Sequence, residues 1–283
     1  MNTLQTRITF GVVMFSVFFS ITWLDSLFCT DIGFAGLVIL TGGIGLYEFY
    51  HIAGKNGFSP FRISGIIAGI ALLASYWLSL RNHAIVENHF FRQESMVILV
   101  CWLLLIQAFT RGTQDAIRNI AVTIFGIFYV AFLLSFAIAL RNLPHGLSIV
   151  ILVLLVSKFG DIGGYLLGRK YGKHKLAKAI SPNKTIEGAI FSLISSILIS
   201  VIFNLIPHIG VMSMPRAVVF GALVGFSAML GDLAESLLKR DANVKDSGRL
   251  VPAFGGVLDV IDCLLVSMPV SYYFFVWGKL VER

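Results

Sequence analysis

The sequence carries little charge for its length. Lys, Arg, Asp and Glu make up 13% of its 283 residues, whereas soluble domains contain about 25%. A soluble globule needs a polar shell that so few charges do not supply. Apolar residues reach 57%, and the mean hydropathy is +0.86. These values exclude a soluble enzyme, a disordered tail and a coiled coil, and they predict a polytopic membrane protein.

Cysteine is also scarce. The chain has three cysteines, far apart in or beside apolar stretches, and it has neither a CxxC pair nor a Cys/His cluster. The sequence therefore gives no indication of a disulfide framework or a zinc site. An apolar run follows Arg7 without a small-residue cleavage motif, and more such runs follow it. A first transmembrane helix is therefore favoured over a signal peptide.

Nine apolar stretches can cross a bilayer, which needs about 20 residues per helix. They lie near 8–24, 32–50, 63–80, 95–110, 117–140, 147–168, 186–206, 216–238 and 256–277. The fourth is short, and a half-embedded helix is an alternative there. Ten-residue alternating strands are missing from the pattern, which therefore predicts an all-α integral membrane protein, a bundle of about nine transmembrane helices.

The 22 Lys and Arg residues are concentrated in a few short loops. If the N-terminus is cytoplasmic, most of them fall on the cytoplasmic side, as the positive-inside rule requires. The net charge of +7 is then explained by topology and an anionic ligand, and we expect no nucleic-acid partner. The compact chain and the missing targeting segment favour a bacterial inner membrane.

The two halves of the chain differ in polarity. Residues 1–146 contain few buried charges and are expected to be structural or dimerisation helices. Residues 147–283 contain the polar side chains that are hardest to explain in a membrane, so we expect the catalytic region there.

Charged side chains recur with helical spacing in three of the late spans. Charges inside a bilayer are costly and mark functional sites by default. Residues that share a helical face are Lys158 and Asp161 in the sixth span, Asp232, Glu235, Ser236 and Lys239 in the eighth, and Asp259 and Asp262 in the ninth. For a single helix, the simpler alternative is that the charged side chains pair with one another and only hold the bundle together. Three helices with such side chains favour a functional site.

The residue types in these stripes suit a metal ion and phosphates. Asp232, Asp259 and Asp262 offer hard oxygen ligands, which Mg²⁺ prefers. The flanking loops supply cations for phosphates: Lys173, Lys175, Lys178, Lys184, Lys239, Arg240, Lys245 and Arg249. Carboxylates ringed by Lys and Arg are typical of metal-assisted phosphoryl or nucleotidyl transfer.

Turn chemistry adds two weaker signals. Ser181 followed by Pro182 predicts a helix N-cap whose first turn, with Lys184, faces an anion. Gly255 and Gly256 precede a helix start, where a ligand could approach the backbone closely. Glycines also recur every four residues at 160, 164, 168 and 172, a pattern that favours close helix–helix packing.

The late motifs resemble a known family. Ser236-Leu-Leu-Lys239-Arg240, then Lys245-Asp246-x-Gly248, then Leu250-Val-Pro252-x-x-Gly255-Gly256-Val-x-Asp259-x-x-Asp262 is similar to the signature of phosphatidate cytidylyltransferases, the CDP-diacylglycerol synthases. The blocks SPNKTIEG, GDLAES and KFGDIGGYLLGRKYGK match the same family. Together they cover about residues 155–265.

The resemblance implies the reaction of CTP with phosphatidic acid to give CDP-diacylglycerol and pyrophosphate. It implies Mg²⁺, often with a monovalent cation such as K⁺, and a homodimer in the bilayer with its active site toward the cytoplasm. The implied metal ligands are Asp232 and Asp259, with Asp262 and Asp246 nearby. The implied catalytic residues are Ser236, Lys239, Arg240, Lys184 and Asp246. Substrate binding is expected of Lys158, Asp161, Arg169, Lys173, Glu187, Glu235, Lys245, Arg249, Gly255 and Gly256.

The sequence departs from the family signature at two positions. Phe254 stands where the signature has His, and Val260 stands where it has Arg, which removes a bidentate phosphate contact. These departures leave open a paralogue with another lipid substrate and an inactive scaffold. The basic loops also suit a CTP-dependent polyprenol or lipid kinase, and the intramembrane carboxylates suit an ion-coupled transporter.

Overall fold

The computed structural model describes residues 3–81, 90–207, 209–251 and 255–281, and most of them are helical. The helices are α1 Thr3–Leu27, α2 Ile32–Lys55, α3 Arg62–Arg81, α4 Phe90–Thr110, α5 Ala116–Gly126, α6 Leu133–Arg141, α7 Gly146–Tyr171, α8 Ile186–Leu205, α9 Met214–Asp241 and α10 Leu258–Val281. A π-helical segment, Ile127–Phe132, joins α5 to α6. Two short strands, β1 Lys175–Ala177 and β2 Ser181–Thr185, form an antiparallel hairpin between α7 and α8.

The helical membrane architecture is confirmed. Eight helices of the described residues are long and apolar enough to cross a bilayer, counting Ala116–Arg141 as one. They coincide with eight of the nine predicted stretches. The hairpin is an element that the apolar pattern did not predict.

The remaining predicted stretch corresponds to α4. Its apolar part, Ile98–Thr110, is shorter than a full span, but the helix has 21 residues, which is about 30 Å of rise. Arg111, just after α4, donates to the carbonyl of Ser59, just before α3. Its guanidinium also lies 4.3 Å from the centre of the Phe61 ring. Because α3 leaves from this end and α4 returns to it, α4 covers the same depth as α3, which supports a ninth crossing.

The chain forms two compact units that are discontinuous in sequence. The first contains Met1–Ile138 and Asp241–Val260, and the second contains Ala139–Arg240 and Ile261–Arg283. The first turn of α10 is therefore assigned to the first unit and the remainder to the second. The division of roles between residues 1–146 and 147–283 stays a prediction.

The first unit packs around α2. Leu46 and Tyr50 of α2 are fully buried, and the Tyr50 hydroxyl donates to the carbonyl of Thr123 at 2.8 Å. The Tyr50 ring lies where a side chain on Gly65 or Gly126 would stand. Small residues on α3 and α5 therefore let both helices approach α2 closely.

The second unit packs around α8. A Cβ atom on Gly168 of α7 would lie 2.8 Å from the Cα atom of Gly188, and one on Gly164 would lie 3.0 Å from the Gly188 carbonyl oxygen. The predicted packing role of the glycine repeat is thus confirmed. On the other side of α8, the Ser200 hydroxyl donates to the carbonyl of Ala217 on α9 at 2.7 Å, so α8 lies between α7 and α9.

Candidate active site

The start of α8 differs from the prediction. Ser181 and Pro182 lie in β2, and the helix is capped by Thr185, whose hydroxyl accepts a hydrogen bond from Gly188 N at 3.1 Å. The predicted cap at Ser181 is wrong because residues 181–185 pair with β1 instead, and Thr185 satisfies the free N–H groups of the helix. Lys184 consequently lies in a strand, one residue before the cap.

From this strand, Lys184 reaches α9. Its Nζ atom lies 2.6 Å from Oδ2 of Asp232, and the two side chains are 24% and 29% exposed. The other carboxylate oxygen, Oδ1, accepts a hydrogen bond of 3.3 Å from the Ser236 hydroxyl. Three residues predicted for the site are thus in direct contact, and the carboxylate of Asp232 is oriented from both sides.

More charged groups lie on α7 and α10. The Lys158 ammonium lies 3.2 Å from Sγ of Cys263 and interacts electrostatically with Asp161 and Asp262. The Asp232 carboxylate repels both of these carboxylates, as like charges near one another do. These groups form one cluster in the second unit, which we call the carboxylate–lysine cluster: Lys158, Asp161, Lys184, Asp232 and Asp262.

The other predicted residues of α9 pair near its end. Glu235 is fully buried and forms an ion pair with Lys239, one turn later. Arg240 donates from Nε to the carbonyl of Ile180 at 3.2 Å. Arg240 therefore fastens the hairpin to α9, and the hairpin holds Lys184 against Asp232.

Three predicted binding residues surround the start of the hairpin. Arg169 and Lys173 are exposed. The Glu187 carboxylate accepts hydrogen bonds from Lys173 N at 3.0 Å and His174 N at 3.2 Å, and its Oε1 lies 2.7 Å from Nδ1 of His174. In this structure Glu187 fixes the connection between α7 and β1.

The remaining predicted residues belong to the first unit. A cavity of about 610 Å³ lies between α2 and the loop that follows α9. We call this loop, residues 244–251, the signature loop. Lys245, Asp246 and Arg249 line the cavity together with His51 and Lys55 of α2. The cavity walls therefore combine basic side chains from both ends of the sequence.

Asp259 is engaged at the start of α10. Its Oδ2 atom accepts hydrogen bonds from Ser247 N and Ser247 Oγ, both at 2.8 Å, and from Gly256 N at 2.7 Å. Gly255 has a φ of +107° and exchanges two backbone hydrogen bonds of 2.9 Å with Val251. This predicted metal ligand thus ties the signature loop to the helix that follows it.

Glu48 of α2 contacts the signature loop and the start of α10, which the sequence analysis did not predict. It is 2% exposed and accepts hydrogen bonds from Val257 N at 3.0 Å, Leu258 N at 2.8 Å and Ser247 Oγ at 3.0 Å. The close approach expected of a ligand at Gly256 is made by the Glu48 carboxylate. A single glutamate inside an apolar helix is the signal that could have found it.

The donor set of the second unit suits Mg²⁺. Among the residues that the structure describes, no three His, Cys, Asp or Glu side chains form a metal-binding group. Mg²⁺ commonly takes only one or two carboxylates and completes its shell with water and substrate phosphates. The hard carboxylate oxygens of the carboxylate–lysine cluster therefore fit this ion.

Of the two departures from the family signature, Phe254 falls outside the described residues. Val260 lies in the first turns of α10, one residue after Asp259, and its amide donates to the carbonyl of Val257 at 3.0 Å.

A helical membrane protein whose second unit carries carboxylates and lysines, with a basic hairpin that places Lys184 against Asp232, defines a membrane enzyme for phosphate-bearing substrates. The chain belongs to the cytidylyltransferase family, whose model matches residues 5–277.

Individual relatives are similar over much of the chain. It is 30% identical over 273 residues to the phosphatidate cytidylyltransferase of Synechocystis sp., covering 86% of this chain and 88% of that protein. It is 33% identical over 246 residues to the phosphatidate cytidylyltransferase of Chlamydia pneumoniae, covering 82% and 79%. It is also 36% identical over 153 residues to the uncharacterized protein YnbB of Escherichia coli, covering 54% and 50%.

Proposed function

We propose that this protein transfers the cytidylyl group of CTP to phosphatidic acid, giving CDP-diacylglycerol and pyrophosphate in a Mg²⁺-dependent reaction. The observation that carries the proposal is the contact of Lys184 with Asp232 inside the carboxylate–lysine cluster. Relatives that share most of the chain are phosphatidate cytidylyltransferases by name, which supports this choice of substrates.

The reaction makes modest demands on acid–base chemistry. A phosphate monoester is already an anion at neutral pH, so its oxygen can attack the α-phosphorus of CTP without a strong general base. The new P–O bond forms as the bond from the α-phosphorus to the bridging oxygen breaks, and pyrophosphate leaves with that electron pair. The protein has to align the two substrates and neutralise the departing charge.

The residues of the second unit match these demands. Lys184, held in β2, can exchange its contact with Asp232 for a phosphate oxygen. Ser236 keeps the Asp232 carboxylate oriented, and Lys158 offsets the charge of its carboxylate neighbours. The predicted metal ligands are Asp232 and Asp262 of this unit and Asp259 of the first unit. Mg²⁺ bound to them, with K⁺ as a second cation, would neutralise phosphate charge. Each of these side chains projects from a spanning helix or the hairpin, where a lipid headgroup can meet a soluble nucleotide.

The same proposal includes location and assembly. CTP is a cytoplasmic solute, and the basic loops fall on the cytoplasmic side when the N-terminus is cytoplasmic. The relatives of known source are bacterial, which supports an inner membrane. A homodimer stays a prediction.

Product analysis tests the proposal. Purified protein is incubated in detergent with phosphatidic acid, Mg²⁺ and CTP labelled at either the α- or the γ-phosphate. We expect the α-label in the lipid and the γ-label in pyrophosphate. Transfer of the γ-label to lipid would instead identify a CTP-dependent kinase, and solute uptake by liposomes without CTP turnover would identify a transporter.

Two carboxylate variants complete this test. Asp232→Asn should lower lipid labelling by about 100-fold or more because the oriented carboxylate is lost. Asp31→Asn changes a carboxylate beside Trp77 and Arg81, outside the site, and should leave labelling unchanged. Wild-type labelling by Asp232→Asn would remove the carboxylate–lysine cluster from the reaction.

A further inference from the structure

We propose that Glu48 of α2 is a positioning residue of the active site, which holds the signature loop and, through Ser247, the carboxylate of Asp259. This inference rests on the proposed function and extends it to a helix of the N-terminal half. Glu48 lies about 200 residues before its partners, at a separation of 199 positions from Ser247.

The surroundings of Glu48 are unusual for a buried carboxylate. Burial of a charge is costly unless hydrogen bonds or an opposite charge compensate it. Within the described part of the chain, the partners of Glu48 are two backbone N–H groups and one hydroxyl, and none is a lysine or arginine. Among the described residues, the hydrogen bonds that compensate the carboxylate come from the loop and helix start that it holds.

These hydrogen bonds complete a helix cap. The first N–H groups of a helix have no partner within the helix and are usually satisfied by the side chain of the cap residue. The residue before α10 is Val257, whose side chain cannot accept a hydrogen bond. Glu48 takes this role from another helix by accepting from Val257 N and Leu258 N, and Asp259 accepts from Gly256 N at 2.7 Å.

The signature glycines fit the same arrangement. A Cβ atom on Gly248 would lie 2.9 Å from Cδ of Glu48, and one on Gly256 would lie 2.6 Å from it. Any larger residue at either position would push the carboxylate away. Two glycines of the signature therefore make room for Glu48.

Ser247 links Glu48 to the predicted chemistry. Its Oγ atom lies 3.0 Å from Oε2 of Glu48 and 2.8 Å from Oδ2 of Asp259, so its single proton is shared between two carboxylates. The same loop carries Lys245 and Arg249 into the cavity beside α2. Loss of Glu48 should therefore disturb a predicted metal ligand and two predicted phosphate-binding residues together.

The chain contains a matched control for a role in stability alone. Asp25 is 5% exposed and accepts hydrogen bonds from Gly33 N at 3.0 Å, Phe34 N at 2.7 Å and Thr30 Oγ1 at 3.1 Å. It is a buried carboxylate that caps a helix with two N–H groups and a hydroxyl, as Glu48 does. The helix that it caps is α2, and no residue of the signature is involved.

The experiment compares Glu48→Gln, Glu48→Asp and Asp25→Asn in the full-length protein. Glu48→Gln places an amide NH₂ group against N–H donors, so we expect kcat to fall and the half-saturating Mg²⁺ concentration to rise by about 10- to 100-fold. Glu48→Asp keeps the charge and should recover part of the loss. Asp25→Asn should lower the unfolding temperature but keep the Mg²⁺ dependence of the wild type.

Hydrogen–deuterium exchange gives a readout that does not depend on turnover. The amides of residues 255–258 should exchange faster in Glu48→Gln than in the wild type, and they should be unchanged in Asp25→Asn. If the wild type makes no CDP-diacylglycerol, the proposed function fails, but the exchange of these amides still tests the contact made by Glu48.

Two results would overturn the inference. One is a Glu48→Gln enzyme that loses thermal stability like Asp25→Asn while its kcat and Mg²⁺ dependence stay within about twofold of the wild type. The other comes from Ser247→Ala, which removes only the hydroxyl between Glu48 and Asp259. This variant replaces Glu48→Gln in the test if Glu48→Gln does not fold. A Ser247→Ala enzyme with wild-type Mg²⁺ dependence would show that Asp259 does not need this link.

Discussion

Lys184 combines two roles that are usually separate in a membrane protein. As the partner of Asp232, it offsets a charge that would be costly inside the bilayer. As a side chain that is still 24% exposed, it can also meet a phosphate group. A buried lysine without exposure could only stabilise the bundle, and a fully exposed one would only attract anions.

We expect Lys184→Gln to lower kcat by about 10²- to 10³-fold, because it removes one preorganised charge from the departing phosphates. Lys184→Arg keeps the charge but changes its geometry, so it should recover only part of the rate. The measurement is CDP-diacylglycerol formation at saturating CTP and phosphatidic acid.

Lys178 provides the control for this prediction. The sequence analysis counts Lys178 among the loop cations for phosphates, but the structure leaves it exposed in the turn of the same hairpin. Lys178→Gln removes the same charge from the loop. We expect its rate to stay within about twofold of the wild type, since exposed charges contribute little. Equal losses in the two variants would mean that the hairpin acts only through its overall charge.

Sequence reasoning selected Lys184, Asp232 and Ser236 because each belongs to a recognisable motif, and the structure brings these three together. It missed Glu48 because spacing along a chain carries no information about a partner 199 positions away. Folding alone places a residue of α2 under the signature loop.

Helices are the elements that the sequence predicts best here, because a spanning helix must be a long apolar run. The predicted stretch 186–206 corresponds to α8, Ile186–Leu205, within one residue. The hairpin before it was missed because its strands have three and five residues and no apolar alternation. The Ser-Pro pair that begins β2 also has the composition of a helix start.

The close contact between α7 and α8 predicts that a larger residue at Gly168 lowers stability. In Gly168→Ala the new Cβ atom would lie 2.8 Å from the Cα atom of Gly188. Backbone cannot move aside as a side chain can, so we expect a loss of about 1–3 kcal/mol in unfolding free energy. Because α7 carries Lys158 and Asp161, activity should fall as well. Unfolding in detergent and CDP-diacylglycerol formation measure the two effects.

Gly36 of α2 is the matched control for Gly168. No heavy atom lies within 4 Å of a Cβ atom placed there, and alanine is the better helix former by up to about 1 kcal/mol. Gly36→Ala should therefore be as stable as the wild type or more so. A Gly168→Ala protein of equal stability would show that the two helices are not in backbone contact.

At the scale of the whole molecule, the compact units do not follow the order of the sequence. The signature loop comes late in the chain, after α9, but it belongs to the first unit with α2. Residues before 147 were predicted to be structural or dimerisation helices, and Glu48 gives one of them a part in the site. A fragment of residues 147–283 would lack the carboxylate that caps α10.

The positive-inside rule predicts a cytoplasmic N-terminus, and cysteine labelling can test this orientation. Cys29 lies exposed between α1 and α2, and a cytoplasmic N-terminus places it outside the membrane, because one span precedes it. Lys178 follows five further crossings, α4 included, and should face the cytoplasm. A membrane-impermeant maleimide should therefore label Cys29 in intact cells, and Cys29→Ser should abolish this signal. The double variant Cys29→Ser/Lys178→Cys should be labelled only after the membrane is opened.

Labelling of both positions from outside would mean that α4 does not cross, since the two sites would then be separated by four spans. Labelling of Lys178→Cys alone from outside would reverse the orientation, and the basic loops would then face away from the cytoplasmic supply of CTP.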